Sequence, residues 1–289
     1  MYPAPFEYHR AASAQEAVAL LARFGEEARL LAGGHSLIPL LKLRFAEPKH
    51  LIDVRRIPGL AEVREERGVL VVGAATPHAT LETSPLVQQR LPMLSEAAAL
   101  IGDPQVRNMG TIGGSLAHAD PAADLPAVML AVGASLVALG PRGARTVAAD
   151  DFFLKLFTTA LARGEMLTEV RIPLPAQGTG GAYEKFPHPA SRYAIVGVAA
   201  QLTLQGGKVS AARIGITGVA AKAFRATAAE AALNGKAPDE ATLAAAAAKA
   251  TEGVAVRGDP RMSEAYWRSL ATTFTRRALL RAAKRAAAA

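Results

Sequence analysis

Short apolar runs separated by glycine- and proline-rich breaks fill the first two thirds of the chain, and alanine-rich stretches fill the last. Ser13-Ala14-Gln15-Glu16 is a capping box, and Ala17, Leu20, Leu21 and Phe24 follow at i, i+3, i+4 and i+7, which predicts a short amphipathic helix. Residues 29–32 read as a strand running into Gly33-Gly34-His35-Ser36, and residues 51–54 and 69–73 read as further strands bounded by turn residues. A helical stretch from Leu91 (Met93, Leu94, Ala97, Ala98, Ile101) ends in Gly102-Asp103-Pro104. A second glycine loop, 110–115, follows, and a helix is expected over about residues 122–130. Residues 135–139 and 145–147 form a hairpin pattern across Gly140-Pro141-Arg142-Gly143, and 170–173 is a strand cut off by Pro173.

The Pro- and Gly-rich stretch 173–181 marks the best domain boundary, giving expected domains 1–176 (halves about 1–55 and 56–176) and 177–289. Beyond it, 201–204, the turn Gln205-Gly206-Gly207-Lys208 and 209–217 predict another hairpin. Helices are expected over about 224–233, 242–251 and 266–284, with Asn234-Gly235 stopping the first. The alternation of elements makes the class α+β, and no longer repeat suggests a solenoid or propeller.

Composition narrows the functional classes. With 289 residues, 51% of them hydrophobic, the chain buries a substantial core in one large domain or two. It contains no cysteine, which excludes disulfides, Cys-ligated zinc, a thiolate nucleophile and an iron–sulfur cluster held by this chain alone. The start, Met1 to Glu7, lacks the basic and apolar segments of a secretory signal, so a cytoplasmic location is expected. The longest uncharged stretch, 125–141, is shorter than the roughly 20 residues of a spanning helix and is interrupted by Pro126 and Gly133. No membrane span is expected. The net charge of +8 is concentrated in Arg276, Arg277, Arg281, Lys284 and Arg285, with no acid after Glu264, and reads as a basic, solvated helix end favoured by its own dipole. Only 5% of residues are aromatic, leaving little for base stacking, so no nucleic-acid partner is expected.

Candidate chemistry gathers in the two glycine runs. In Ala32-Gly33-Gly34-His35-Ser36-Leu37, paired glycines let successive N–H groups converge on an anion and Ser36 adds a donor. A strand-to-helix turn that needs positive φ explains the same residues. The run Gly110-Thr111-Ile112-Gly113-Gly114-Ser115-Leu116-Ala117-His118-Ala119-Asp120-Pro121-Ala122-Ala123-Asp124 gathers a second glycine nest, two hydroxyls, a histidine and two carboxylates. Asp120 also fits an N-cap before a helix opened by Pro121, with Asp124 one turn further on the same face. Two nests suit a diphosphate, while the absence of G-x-G-x-x-G and of G-x-x-x-x-G-K-[ST] disfavours a Rossmann site or a P-loop. His35 and His118 read as hydrogen-bonding or shape elements, because neither has an H-x-x-x-H or carboxylate partner at ligand spacing. No metal site is expected in the chain.

These runs, with Leu51-Ile52-Asp53-Val54, Arg107-Asn108-Met109 and Tyr183-Glu184-Lys185-Phe186, occur in the order found in one family over almost the whole chain. The chain resembles the FAD-binding medium subunits of the molybdenum hydroxylases, the group of carbon monoxide dehydrogenase and xanthine dehydrogenase. The resemblance implies a two-subdomain FAD-binding domain of the vanillyl-alcohol-oxidase type, followed by a smaller domain with an antiparallel sheet and helices. It implies that Ala32, Gly33, Gly34, His35, Ser36 and Leu37, with Thr111, Gly114 and Ser115, hold the FAD diphosphate. It further implies that Asp124 meets ribityl or ribose hydroxyls, that backbone at Leu167 meets adenine, and that Lys185 stands near the flavin. Ala117, His118 and Tyr193 are expected beside the cofactor, although a core or interface role also suits Tyr193. The implied partners are a large subunit with molybdenum cofactor and a small one with two [2Fe–2S] clusters, as a dimer of heterotrimers. Substrate, an N-heterocycle, an aldehyde or carbon monoxide, is then oxidised in the large subunit, so no residue here is catalytic on substrate. His118 stands where carbon monoxide dehydrogenases tend to be asparagine-rich, which points away from carbon monoxide. The alternatives are a stand-alone FAD-dependent oxidoreductase and a noncatalytic nucleotide-binding assembly subunit.

Overall fold

A computed structural model describes residues 1–258 and 262–289. Its first sheet is parallel, built from β1 (Glu7–Arg10), β2 (Ala28–Leu31) and β3 (His50–Asp53) in the order β1-β3-β2. Parallel neighbours need crossovers, and helices Ala14–Phe24 and Leu37–Lys42 supply them. The Ser13 hydroxyl accepts from Glu16 N at 3.1 Å, and Glu16 accepts from Ala12 N at 2.7 Å, one residue earlier than an ideal capping box.

The second sheet is antiparallel. It contains β4 (Val63–Glu66), β5 (Val69–Gly73), β6 (Ser135–Gly140), β7 (Gly143–Ala148) and, after a small hairpin of β8 (Phe153–Lys155) and β9 (Thr158–Thr159), β10 (Met166–Pro173). The order is β4-β5-β10-β6-β7. Leu70, Val72, Leu136, Val170 and Ile172 share one core with Leu81, Leu94, Ile112 and Leu116 from short helices between β5 and β6. His78 opens one of these helices, with its N–H donating to Gly110 O at 2.9 Å. Its ring is 4% exposed, and burial pulls its pKa down to about 4.

All eight residues of helix Leu125–Val132 are buried. The helix is apolar on every side because it lies between the second sheet and β12 and β13 of the third. It begins later than the expected residue 122, since Asp120 Oδ1 accepts from Ala122 N at 2.8 Å and closes a turn instead of capping a helix. Asp124 therefore precedes the helix.

The third sheet, antiparallel in sequence order, is β11 (Thr179–Pro187), β12 (Ala194–Gln205), β13 (Lys208–Thr217) and β14 (Phe224–Arg225). Helices Thr227–Leu233, Glu240–Ala247 and Glu264–Ala288 join it in a core that includes Ala182, Val198, Ile214 and the fully buried Trp267. The long helix lies so close to β11 that a Cβ on Gly180 would stand 2.2 Å from Ala286 N. The basic tail is not a solvated face throughout. Arg281 donates to Tyr183 O at 3.1 Å and pairs with Glu184, while Arg285 donates to Gly181 O at 2.7 Å and pairs with Glu96. These cations tie the last helix to β11 and to helix Pro92–Ala99. No described helix is long and apolar enough to cross a membrane.

Two tests follow from this packing. A Cβ on Gly215 would stand 2.0 Å from Ala127 O, so Gly215→Ala must push the buried helix off β13 and is expected to cost about 1–3 kcal/mol in urea unfolding. For His78, the unfolded ring takes a proton near its ordinary pKa of 6.5 and the folded ring only near 4, so its contribution is present above pH 6.5 and is lost as pH falls toward 4. The gap in stability between wild type and His78→Gln is expected to shrink over that window by up to about 3 kcal/mol, read from unfolding curves at a series of pH values.

Candidate functional site

The end of β2 delivers residues 32–37 against the second glycine run. Contact is close because Gly33 lacks a Cβ, which would lie 2.1 Å from Met109 O and 2.7 Å from Gly110 Cα. Of the four paired glycines only Gly34, at φ +76°, uses the left-handed region. Among the described residues, the N–H groups at 34–37 meet no protein acceptor, and Ser36 precedes helix Leu37–Lys42 without spending its hydroxyl on a cap bond. This loop keeps donors free for an anion.

The second run is a different device from the expected open nest. Gly113 and Gly114 are the first-turn residues of helix Ile112–His118, capped by Thr111, whose hydroxyl accepts from Gly114 N at 3.1 Å. Gly113 N donates to Ala74 O at 2.8 Å, and a Cβ there would meet the Ala74 Cβ at 2.5 Å. These N–H groups are already paired, so the second glycine pair serves close packing. One helix face buries Ile112, Gly113 and Leu116, and the other leaves Gly114 and Ala117 exposed.

A cavity of about 460 Å³ opens between these elements. Its lining takes in Ala32, Gly33, Gly34, His35, Ser36 and Leu37, then Thr111, Gly114, Ser115, Ala117, His118, Asp124, Leu167 and Tyr193. Of the residues singled out from sequence, Lys185 alone is not in this wall. Apolar wall from Leu40, Val54, Leu60, Ile101 and Val106, together with His78, was not foreseen. Such residues carry no mark distinguishing them from core, and only the polar stretch Thr76-Pro77-His78 at the end of β5 hinted at more. The His118 ring tilts against Phe157 at 5.1 Å. Tyr193, 42% exposed, stands at the wall, and burial with the nearby Asp120 charge raises its phenol pKa.

Asp124 is the buried polar centre of the wall. Its carboxylate accepts from the Tyr183 hydroxyl at 2.6 Å and from Lys185 Nζ at 2.9 Å. Lys185 also donates to Leu100 O at 2.9 Å, and its side chain is 1% exposed. Lys185 thus stands behind the wall, one contact from the cavity: a buried ammonium needs partners, and this one has them in Asp124 and Leu100. Burial pushes the Asp124 carboxyl up, against the opposing pull of Lys185 and Tyr183, and burial beside Asp124 raises the Tyr183 phenol well above its ordinary range.

The third sheet holds the loop that carries Asp124. Thr217 Oγ1 donates toward Pro121 O at 2.6 Å and Ala123 O at 2.8 Å, Gly218 N donates to Pro121 O at 2.7 Å, and Ala194 N donates to Ala122 O at 3.1 Å. Gly197 leaves room for the Tyr183 hydroxyl, which would be 2.2 Å from a Cβ at that position.

Comparison with known proteins agrees with this architecture. Residues 4–175 match the family described as FAD binding domain in molybdopterin dehydrogenase, and residues 181–282 match the CO dehydrogenase flavoprotein C-terminal domain. The carbon monoxide dehydrogenase medium chain of Hydrogenophaga pseudoflava is 48% identical, over 96% of this chain and 97% of that one. The 6-hydroxypseudooxynicotine dehydrogenase complex subunit alpha of Paenarthrobacter nicotinovorans is 41% identical, over 99% and 97%. A solved structure of the Hydrogenophaga pseudoflava carbon monoxide dehydrogenase, lacking the Mo-pyranopterin moiety of its cofactor, superposes with a TM-score of 0.95 at 50% identity, covering 99% of each chain. With both modules matched in order and relatives aligned from end to end, the chain belongs to the family of FAD-binding medium subunits of the molybdenum hydroxylases.

Proposed function

We propose that the cavity holds FAD and that the chain carries electrons between an iron–sulfur partner and an external acceptor. The observation that carries the first part is the convergence of fourteen residues, singled out from sequence, on one cavity of about 460 Å³, a volume within the usual range for ligand sites. The residues fit the group. Free N–H donors at 34–37 and the Ser36 hydroxyl suit the diphosphate, with Thr111 and Ser115 offering further hydroxyls. A carboxylate has about four lone-pair sites, and Tyr183 and Lys185 leave Asp124 capacity for sugar-chain hydroxyls. Backbone at Leu167 is assigned to adenine, and Tyr193, Ala117 and His118 to the neighbourhood of the ring.

FAD, when bound, supplies a carrier that takes up two electrons and gives them up singly or as a pair. The chain's own contribution is placement. Lys185 keeps the Asp124 carboxylate paired while it orients hydroxyls, and the apolar wall of Leu40, Val54 and Leu60 limits water. Two units are assigned, 1–176 (halves about 1–55 and 56–176) for the cofactor and 177–289 to brace the loop with Asp124.

The chain has no cysteine, so the [2Fe–2S] clusters that feed it are assigned to a small subunit and the molybdenum cofactor to a large one, in a cytoplasmic dimer of heterotrimers. Substrate meets the large subunit, and relatives named for carbon monoxide and for 6-hydroxypseudooxynicotine both match this chain nearly end to end, at 48% and 41% identity. The substrate candidates are carbon monoxide, an aldehyde or an N-heterocycle.

Two experiments test this reading. In the complex isolated from its host, heat-released flavin is expected to be FAD, one per medium chain, and anaerobic substrate is expected to bleach iron–sulfur and flavin absorbance together. A yellow chain with no partner would instead favour a stand-alone flavin oxidoreductase. Tyr183→Phe removes one hydrogen bond from a buried carboxylate, which costs about 1–3 kcal/mol, and is expected to weaken FAD retention about 5- to 100-fold while circular dichroism stays native. Unchanged retention would remove Asp124 from the binding set.

A further inference from the structure

A second cluster of chemically capable side chains lies on the first sheet, and none of its members lines the cavity. Glu7 and His9 alternate onto one face of β1, and His50 is the register partner of Glu7 on the adjacent β3. Their ligand atoms converge. His9 Nε2 and His50 Nδ1 are 3.1 Å apart, His50 Nδ1 lies 3.3 Å from Glu7 Oε2, and His9 Nε2 lies 3.7 Å from the same oxygen.

Four ligands at about 2.0–2.1 Å from a tetrahedral zinc stand about 3.3–3.4 Å from one another. The three separations surround that value, as the atoms of one face of a tetrahedron would. One N–H hydrogen joins the two rings and leaves the exposed Glu7 carboxylate to water, whereas a single cation engages all three atoms at once. The rings are held in place: Phe24 stacks on His50 at 3.7 Å and 15°, and on His9 at 4.9 Å. The imidazoles are 24% and 14% exposed and Glu7 72%, so an ion reaches the site from water without any opening of the fold.

We propose that Glu7, His9 and His50 form a binding site for one borderline divalent cation of the Zn(II) type. Two imidazole nitrogens and a carboxylate suit such an ion, and a hard ion such as Mg(II) or Ca(II) prefers oxygen ligands alone. The ion ties edge strand β1 to β3, and β3 is also the strand against which β2 presents residues 32–37. Its role is structural and lies outside electron transfer.

Sequence spacing conceals this site. Its ligands are split between an i, i+2 pair and a residue on a different strand, so no linear motif joins them.

The test uses the untagged, FAD-loaded full chain after chelator treatment, titrated with Zn(II) by calorimetry and with Co(II) by visible absorption. One equivalent of Zn(II) is expected to bind and raise the unfolding temperature, and Co(II) is expected to give the intense visible bands of a tetrahedral N/O site. Glu7→Gln and His9→Gln, both at the sheet surface, are expected to weaken Zn(II) at least about 10- to 100-fold with flavin content unchanged. His50→Gln is less exposed and is checked by circular dichroism before titration. Failure of the wild-type chain to take up one equivalent, or equal binding by Glu7→Gln and His9→Gln, overturns the proposal, the second result placing the ion on another histidine.

Discussion

A carboxylate removed from water must have its hydrogen bonds supplied by the protein, and Asp124 receives them from across a junction between sheets. Tyr183 and Lys185 both come from β11, while Asp124 comes from the loop before helix Leu125–Val132. Leaving such a charge without partners costs several kcal/mol, so the cavity wall and the third sheet stand or shift together. The surrounding contacts follow from this demand. Thr217, Gly218 and Ala194 take the loop's carbonyls, Gly197 gives the Tyr183 hydroxyl its space, and Arg281 and Arg285 fasten β11 from behind. The C-terminal sheet thus helps to hold the cavity wall although little of it reaches the cavity.

The glycines divide the work in a way their sequence resemblance hides. Gly33-Gly34 and Gly113-Gly114 look like equivalent anion nests, yet the first leaves N–H groups free and the second has them paired inside a helix start. What unites the two is missing side-chain volume: Gly33 lets one loop rest on Met109 and Gly110, and Gly113 lets the helix rest on Ala74. Nest-like glycine here is largely a matter of distance between backbones.

Elements with a local cause were legible in the chain. The Ser13 cap, the 135–148 hairpin across Gly140 and Gly143, the turn at Gly206-Gly207 and the long last helix all carry their signals within a few residues. That runs 32–37 and 111–124 would face one cavity was legible only through resemblance to a family, since no spacing rule alone predicts that two loops so far apart meet. Strand β11 was obscured because its first residues, Thr179 to Gly181, read as linker while their glycines serve a helix contact. The place of Lys185 was obscured for another reason. A lysine in a strand reads as a surface or ligand-facing charge, and only the fold reveals that its carboxylate partner is 61 residues away. The cation excess of the tail was likewise invisible as structure, because Glu96 and Glu184 lie in other elements.

The helix Leu125–Val132, sheathed in apolar contacts from two sheets, has a consequence for how the chain is made. Its covering strands β12 and β13 are not complete until Thr217, 85 residues after the helix ends. At about 5–20 residues per second, a ribosome needs on the order of 4–17 s to deliver them. Throughout that interval the nascent polypeptide presents an uncharged, eight-residue apolar cylinder with half its shelter still unsynthesised. A chain that stops short of β13 lacks the strand that covers one side of this helix and leaves its apolar residues facing water.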